Sequence, residues 1–502
     1  MRFDGIGALA FVTVLLAASA AAHATVVVSN AATQHMSCSA GVCTPTAKNA
    51  VLNAGDLQTM LASSDVKIAT GSGATEIHVI APVTWASANR LTLDAKRSIA
   101  IRAAVVSQGT GGVTVTTNDG GAGGDLIFVS GGAISFSTNS SSLIVNGNAY
   151  TLVSDLTALE SAVAGNKFGH FALAKDYDAG PHGHYSTAAV TSEFDGTFEG
   201  LGHTVANLSV MGASTAAMFA VAGTNNADGG PAVLRDLVLS NVAIRAGDRS
   251  TAGALAAFVV GTVANASSSG SVVVGEHSEA GGLVAGASSI ANSFSTASVV
   301  SGKHGTVGGL AGVAGAVSLS HAAGNVTVGV HSVVGGLVGG FSGPLSQSYA
   351  TGNVMSHSPQ STQIMGGLVG ALQLANVSDC YSTGSVEAGG ASLLGGMFGE
   401  TFGQTIDASY SVSAVLFGTA PIGKRVGGFI GRYVGGAATA DYWDLDTSGQ
   451  SNACEERCRG IEGLSDAALK SGLPAGFDPA IWAQSPSINN GYPYLIANPP
   501  QP

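Results

Sequence analysis

Glu193, Asp195 and Glu199 form the one dense carboxylate group of the chain. Two carboxyls flanking a cleft are what glycoside hydrolysis requires, one acting as acid and the other as base or nucleophile. Just upstream, His182 and His184 stand near Asp176 and Asp178 at a spacing that could ligate a metal. No third fixed ligand is identifiable there, and two histidines and two aspartates on a loop read more readily as solvated. Residues 281–378 hold one basic residue, Lys303, and no carboxylate. A cleft that holds an acidic sugar and polarises its bond needs several of both, so catalysis has little to work with in that stretch.

Gly120-Gly121-Ala122-Gly123-Gly124-Asp125-Leu126-Ile127-Phe128 fits one calcium-binding nonapeptide letter for letter. Such sites need tandem copies, because each ion lies between successive turns. Only one copy is present, and a glycine corner leading into a strand accounts for it. Of the five cysteines, Cys38 and Cys43 lie near one end, Cys454 and Cys458 near the other, and Cys380 stands alone. In an exported chain the two close pairs predict two local disulfides. Zinc is the alternative, but the pairs are C-x4-C and C-x3-C and should lie at opposite ends of the molecule. Cys380 reads as a buried small residue. No catalytic residue, cofactor site or metal site is predicted.

The element that must carry these residues is a repeat. Gly-Gly followed by an aliphatic or aromatic residue recurs from Gly281, Gly308, Gly335, Gly366, Gly395 and Gly427, at intervals of 27, 27, 31, 29 and 32 residues. A period of that size marks stacked units that bury their apolar faces only against neighbours. Short alternating apolar runs bounded by Gly, Ser and Asn favour strands, and no segment keeps a helical stripe for three turns. The glycines are expected to supply positive φ at corners and to let coils approach closely. About fourteen residues into each unit stand Phe294, His321, Tyr349, Tyr381, Tyr410 and Tyr442. In a parallel β-helix these would stack at about 4.8 Å, as a ladder packed in the core. About 460 residues at roughly 25 per coil predict on the order of 18 coils.

Three short helices are expected to cap or interrupt the coils: near residues 56–62 with Asp56 as N-cap, 154–163 with Ser154 as N-cap, and 465–470. The divisions that follow are 1–24, an export signal; 25–150, an N-terminal cap and first coils; 151–251, a helix-containing break and entry coils; 252–445, the repeats; and 446–502, a C-terminal cap. The signal rests on Arg2, the uncharged apolar run Ile6 to Ala22 and the small-x-small Ala22-His23-Ala24, which predict cleavage between Ala24 and Thr25. No later apolar run is long enough for a membrane span. With 19 Lys plus Arg against 31 Asp plus Glu, a net charge of -12 and a pI near 5.3, the chain lacks the basic stripe that nucleic acid requires.

The units GGLVGGFSGPLSQSYATGNV from Gly335 and GGLVGALQLANVSDCYSTGSV from Gly366 resemble the GLUG motif repeats of bacterial surface and secreted proteins. LTLDAKRSIAIRAAV and GGAGGDLIFVSGGAISF are similar to coils of filamentous hemagglutinin-like passengers of two-partner secretion. The resemblance implies an all-β, right-handed parallel β-helix, a secreted or cell-surface location, and an outer-membrane transporter as a partner. It carries no catalytic residue. The expected function is a non-enzymatic, adhesin-like or surface-structural protein making multivalent contacts with a host or matrix glycan or protein. The alternative is a polysaccharide-binding or polysaccharide-cleaving β-helix.

Overall fold

The computed structural model describes residues 24–129, 131–225, 229–356, 363–389, 392–418, 425–455 and 458–500. The export signal expected over residues 1–24 lies outside them, apart from Ala24. The chain is all-β, a parallel β-solenoid of about 14 turns with a few short helices. That is fewer than the 18 coils expected, because the two capping segments and several long corners take residues that add no coil.

Each repeat contributes to three faces. A short strand ending in glycine, such as Thr306–Gly308, Val333–Gly335 or Ile364–Gly366, builds the first. A longer strand, such as Val284–Ala291 or Ala311–Ser318, builds the second, here called the long face. Two-residue strands at the ring position, such as His321–Ala322 and Tyr349–Ala350, followed by strands such as Val326–Val328, build the third. Register is kept from coil to coil, so Gly281, Gly308, Gly335, Gly366, Gly395 and Gly427 stack in one line.

That line of glycines exists for close approach, not for positive φ. None of the six has φ in the left-handed region. A Cβ on Gly335 would fall 2.0 Å from the Val338 carbonyl oxygen, so only glycine fits the corner. The left-handed corners are held instead by other residues, two positions before each ring: Asn292, Leu319, Gln347, Asp379, Ala408 and Ala440.

The N-terminal end is closed by a helix, Ala54–Ser63, that buries Ala54, Leu57 and Leu61. Its N-cap is Asn53, whose side chain accepts the N–H groups of Gly55 and Asp56, so Asp56 sits in the first turn instead of capping it. The second helix, Leu156–Gly165, is capped by Asp155, which accepts the Ala158 N–H, while Ser154 donates to the Asp155 carboxylate. The third expected helix is Asp466–Leu469, capped by Ser465, and a further short helix spans Leu445–Ser448.

Strand direction reverses at two places in the sheet that includes the long face, first where Met36–Ser39 pairs antiparallel with Val42–Pro45 and again in mid-chain. Leu143–Val145 pairs antiparallel with Asn148–Val153 across a tight turn, with Asn146 at φ 49° and Gly147 at φ 83°. Asn-Gly is the preferred pair for such a turn. From Asn148 onward the pairings on this face are parallel. One apolar core lies largely before the turn and a second after it, with Leu201 and Ala172 reaching back into the first.

Candidate functional site

The carboxylate group predicted from sequence is divided among separate partners. Asp195 lies with its side chain fully buried, 3.0 Å from Lys167 Nζ, and the same ammonium reaches Glu193 at 3.3 Å. Glu199 faces the other way, toward Arg235 Nε at 3.4 Å. Arg235 also holds Asp236 at 2.7 Å and Asp125 at 2.8 Å, joining the coil that carries Asp125 to the coils beyond the mid-chain reversal. Burial, and then the Asp236 charge, push the Glu199 carboxyl well above the usual carboxylate range, and the Arg235 charge opposes that shift. Two ion-paired groups do not make a paired acid and base across a cleft.

The other sequence candidates are also engaged. Asp125 of the nonapeptide gives its carboxylate to Arg235 and the Leu126 N–H, while Gly120 and Gly123 take positive φ in the corner before the strand Leu126–Phe128. Asp176 accepts from the Thr204 N–H and lies 3.2 Å from His203 Nδ1. Asp178 accepts from the Gly180 N–H and Asn207 Nδ2, and the His182 ring stacks on Tyr185 at 4.1 Å. Nothing gathers these side chains around one point, and among the described residues no three His, Cys, Asp or Glu side chains form a metal-holding group. Disulfides join Cys38 to Cys43 and Cys454 to Cys458.

The ring positions do form a stack. Phe294, His321, Tyr349, Tyr381 and Tyr410 follow one another at 4.8, 4.6, 4.6 and 5.2 Å with planes within 7° of parallel. Tyr442 continues the register beyond Tyr410. The stack is not inside the coil, however. In each two-residue strand the small neighbour, Ala322 or Ala350, enters the solenoid core, and the ring points out. From His321 onward the rings are buried, because the C-terminal segment folds back over them. Leu469, Phe477, Trp482, Tyr492 and Leu495 pack on the tyrosines in a core of their own.

Polar contacts fix that cover. The hydroxyls of Tyr349, Tyr410 and Tyr442 donate to the carbonyls of Pro499, Pro493 and Ala475. Trp482 Nε1 donates to Asp379, and Asn498 Oδ1 lies 2.9 Å from His321 Nδ1. Burial depresses the His321 imidazole to about 4, so it is neutral and donates through Nδ1. Sequence reasoning missed this cover because the tail has no period. The available signal was the residue after each ring, always small until Trp443, since a narrow coil admits only small side chains there.

A second ladder runs one residue before the rings. Ser293, Ser320 and Ser348 each take a backbone N–H of the preceding coil on the hydroxyl: Ala266 to Ser293, Ser293 to Ser320, Ser320 to Ser348. Cys380 occupies the next rung, facing the Ser348 N–H, and donates its thiol to the Ser378 carbonyl. Ser409 and Asp441 complete the series, accepting from Cys380 and Ser409. Cys380 is therefore a rung of a hydroxyl ladder, and burial pushes its thiol far up.

The long face presents exposed apolar side chains such as Val221 and Phe258. Its outer row runs in register through Val221, Phe258, Gly286, Val313, Gly340 and Ala371. A shallow groove of about 400 Å³ crosses it, lined by Phe258, Ser288, Val313, Phe341, Ser342 and Gln373 among others.

With this geometry in place, the chain can be set beside known proteins. The family model of the GLUG motif matches residues 361–387. No curated protein matches the chain in sequence. Among solved structures, a "putative immunoglobulin A1 protease" from Bacteroides ovatus is similar at 16% identity and a TM-score of 0.37, over 69% of this chain and 92% of that one. A likeness that distant bears on no chemistry here. The likeness to filamentous hemagglutinin-like passengers rests on sequence alone. Among the described residues no helix is long and apolar enough to cross a membrane.

Proposed function

We propose that the mature chain, residues 25–502, is a secreted or cell-surface β-solenoid that works by binding, as an adhesin or surface spacer, and has no catalytic activity. The observation that carries this reading is the long face, on which small, hydroxyl and apolar side chains repeat coil after coil through residues 281–378, where the one Lys, Arg, Asp or Glu is Lys303. Repetition of a weak contact along such a face gives avidity without a deep pocket. The carboxylates that could have served hydrolysis are held by Lys167 and Arg235.

Export fits the same reading. Cleavage after Ala24 would leave Thr25, the first residue of the strand Thr25–Ser29, as the new N-terminus, and the two disulfides suit an oxidising compartment. Reaching the surface would then need a separate outer-membrane transporter.

The test is a binding screen of the mature chain on glycan and extracellular-matrix protein arrays, with reducing ends assayed on every glycan that binds. Binding without release of sugar ends is the expected result. Release that disappears in Asp195→Asn and Glu199→Gln would replace this reading with a polysaccharide-cleaving enzyme.

A further inference from the structure

Phe258 and Glu279 meet over a single glycine. A Cβ on Gly286 would fall 2.5 Å from Phe258 Cδ2 and 3.1 Å from Glu279 Oε1, so ring edge and carboxyl share the space that the missing side chain leaves. The Phe258 ring is nevertheless 41% exposed. Glu279 opens the strand Glu279–Gly281 and stands in register between Thr251 and Thr306. Burial alone pushes its carboxyl up to about 7, so in mildly acidic solution it is a hydrogen-bond donor without charge.

Next to this pair the long strands lose their alternation. The register with the following strand shifts after Val259, Gly261 takes φ 143° and Gly343 φ 158°. The groove opens there. Its volume of about 400 Å³ lies in the range of small-molecule sites. Its polar lining is Ser288, Ser342 and Gln373, groups that match sugar hydroxyls.

We propose that this groove, with Phe258 as an aromatic contact and Glu279, beside that ring over Gly286, as a polar anchor, binds a neutral polysaccharide chain. The site rests on the adhesive reading above and gives it a location. Charge selects the ligand: no Lys, Arg or His lines the groove to neutralise an acidic sugar. The groove crosses strands that are hydrogen-bonded on both sides, so an extended peptide finds no free edge there to extend. An aromatic ring beside hydroxyl and amide groups instead suits a pyranose, with its apolar C–H face and polar rim.

The test is calorimetry of the mature chain with neutral oligosaccharides, cello- and manno-series, and with oligogalacturonate and heparin fragments as acidic counterparts, at about pH 6 and about pH 8.5. Neutral chains should bind, about tenfold more weakly in Phe258→Ala and about tenfold more weakly at the higher pH. Glu279→Gln, which preserves shape and a donor, should bind equally at both pH values. Neutral-chain binding untouched by Phe258→Ala and by pH would overturn the groove while leaving the adhesive reading intact. Preference for the acidic fragments would overturn it too. Failure to bind any glycan or matrix protein on the arrays would remove the adhesive reading and this site together.

Discussion

At the scale of single residues, the solenoid is held by side chains that substitute for backbone partners. Cys380 is the clearest case, because its thiol stands where Ser320, Ser348 and Ser409 place hydroxyls. A hydroxyl is the better acceptor for the Ser348 N–H, so Cys380→Ser should be neutral or stabilising by up to about 1 kcal/mol in denaturant unfolding. Cys380→Ala leaves that buried N–H unanswered and should cost about 1–3 kcal/mol. Equal stability of the two variants would mean that the rung contributes nothing. Glu279 gives a pH dependence of definite sign. Its carboxyl titrates near 7 in the fold against 4.5 ordinarily, so across that window the folded chain binds the extra proton. This contribution to stability is present in acid, declines as pH rises through about 7, and is absent above. Glu279→Gln should therefore match the parent near pH 4 and exceed it by on the order of 2 kcal/mol near pH 8. Melting curves across that range check it, and a difference that does not change with pH would contradict it.

At the scale of elements, the least expected one is the C-terminal segment, which makes a buried core out of an outward ladder. Trp482 is fully buried between the tyrosines and Phe477, with its indole N–H on Asp379. Trp482→Ala should cost about 3–5 kcal/mol of local stability. In native-state hydrogen exchange the loss should appear at Tyr381, Ser382, Tyr410 and Ser411 and not in the strands before Leu143, since solenoid coils feel mainly their neighbours. Uniform loss across the chain would show instead that the solenoid unfolds as one unit. The same segment marks what the sequence made legible. The Gly-Gly period announces one strand and one corner in every coil, and the ring period announces a ladder. Which side the rings take was hidden, because a two-residue strand such as Tyr349–Ala350 offers one apolar residue to each side. Their cover comes from far away, Asn498 meeting His321 across 177 positions. The carboxylates were legible as a group in sequence and not as separate ion pairs, because Lys167 reaches Glu193 and Asp195 from earlier in the chain and Arg235 reaches Glu199 from a later coil. The placing of Phe258 and Glu279 together over Gly286 was hidden for a similar reason, since Phe258 comes from the coil before that glycine.

At the scale of the whole molecule, the question is what joins the coils before the Asn146-Gly147 turn to those after it. Backbone pairing across the turn is short and antiparallel, with Leu143 opposite Tyr150 and Val145 opposite Asn148. The join is reinforced by the Ile134 N–H donating to the Leu201 carbonyl, the Phe136 N–H to the Ala174 carbonyl, and His203 Nε2 lying 2.9 Å from the Ile134 carbonyl. Arg235 adds the charged part, one guanidinium holding Asp125 from the earlier coils with Glu199 and Asp236 from the later ones. Removing one member of such a buried set strands its partners and costs about 3–5 kcal/mol, whereas replacing the whole set with neutral groups costs far less. Arg235→Met should therefore weaken the join, and adding Glu199→Gln and Asp236→Asn should restore much of the loss. The tryptophans make this measurable, because Trp85 lies in the first core, Trp443 in the second and Trp482 in the tail. In single-tryptophan variants of the parent chain, the Trp85 and Trp443 denaturant transitions should coincide. In Arg235→Met they should separate, and in the triple variant they should draw together again. Coincident transitions in all three chains would assign the coupling to the backbone contacts at Ile134 and Phe136 and leave the Arg235 cluster with no part in holding the two cores to one another.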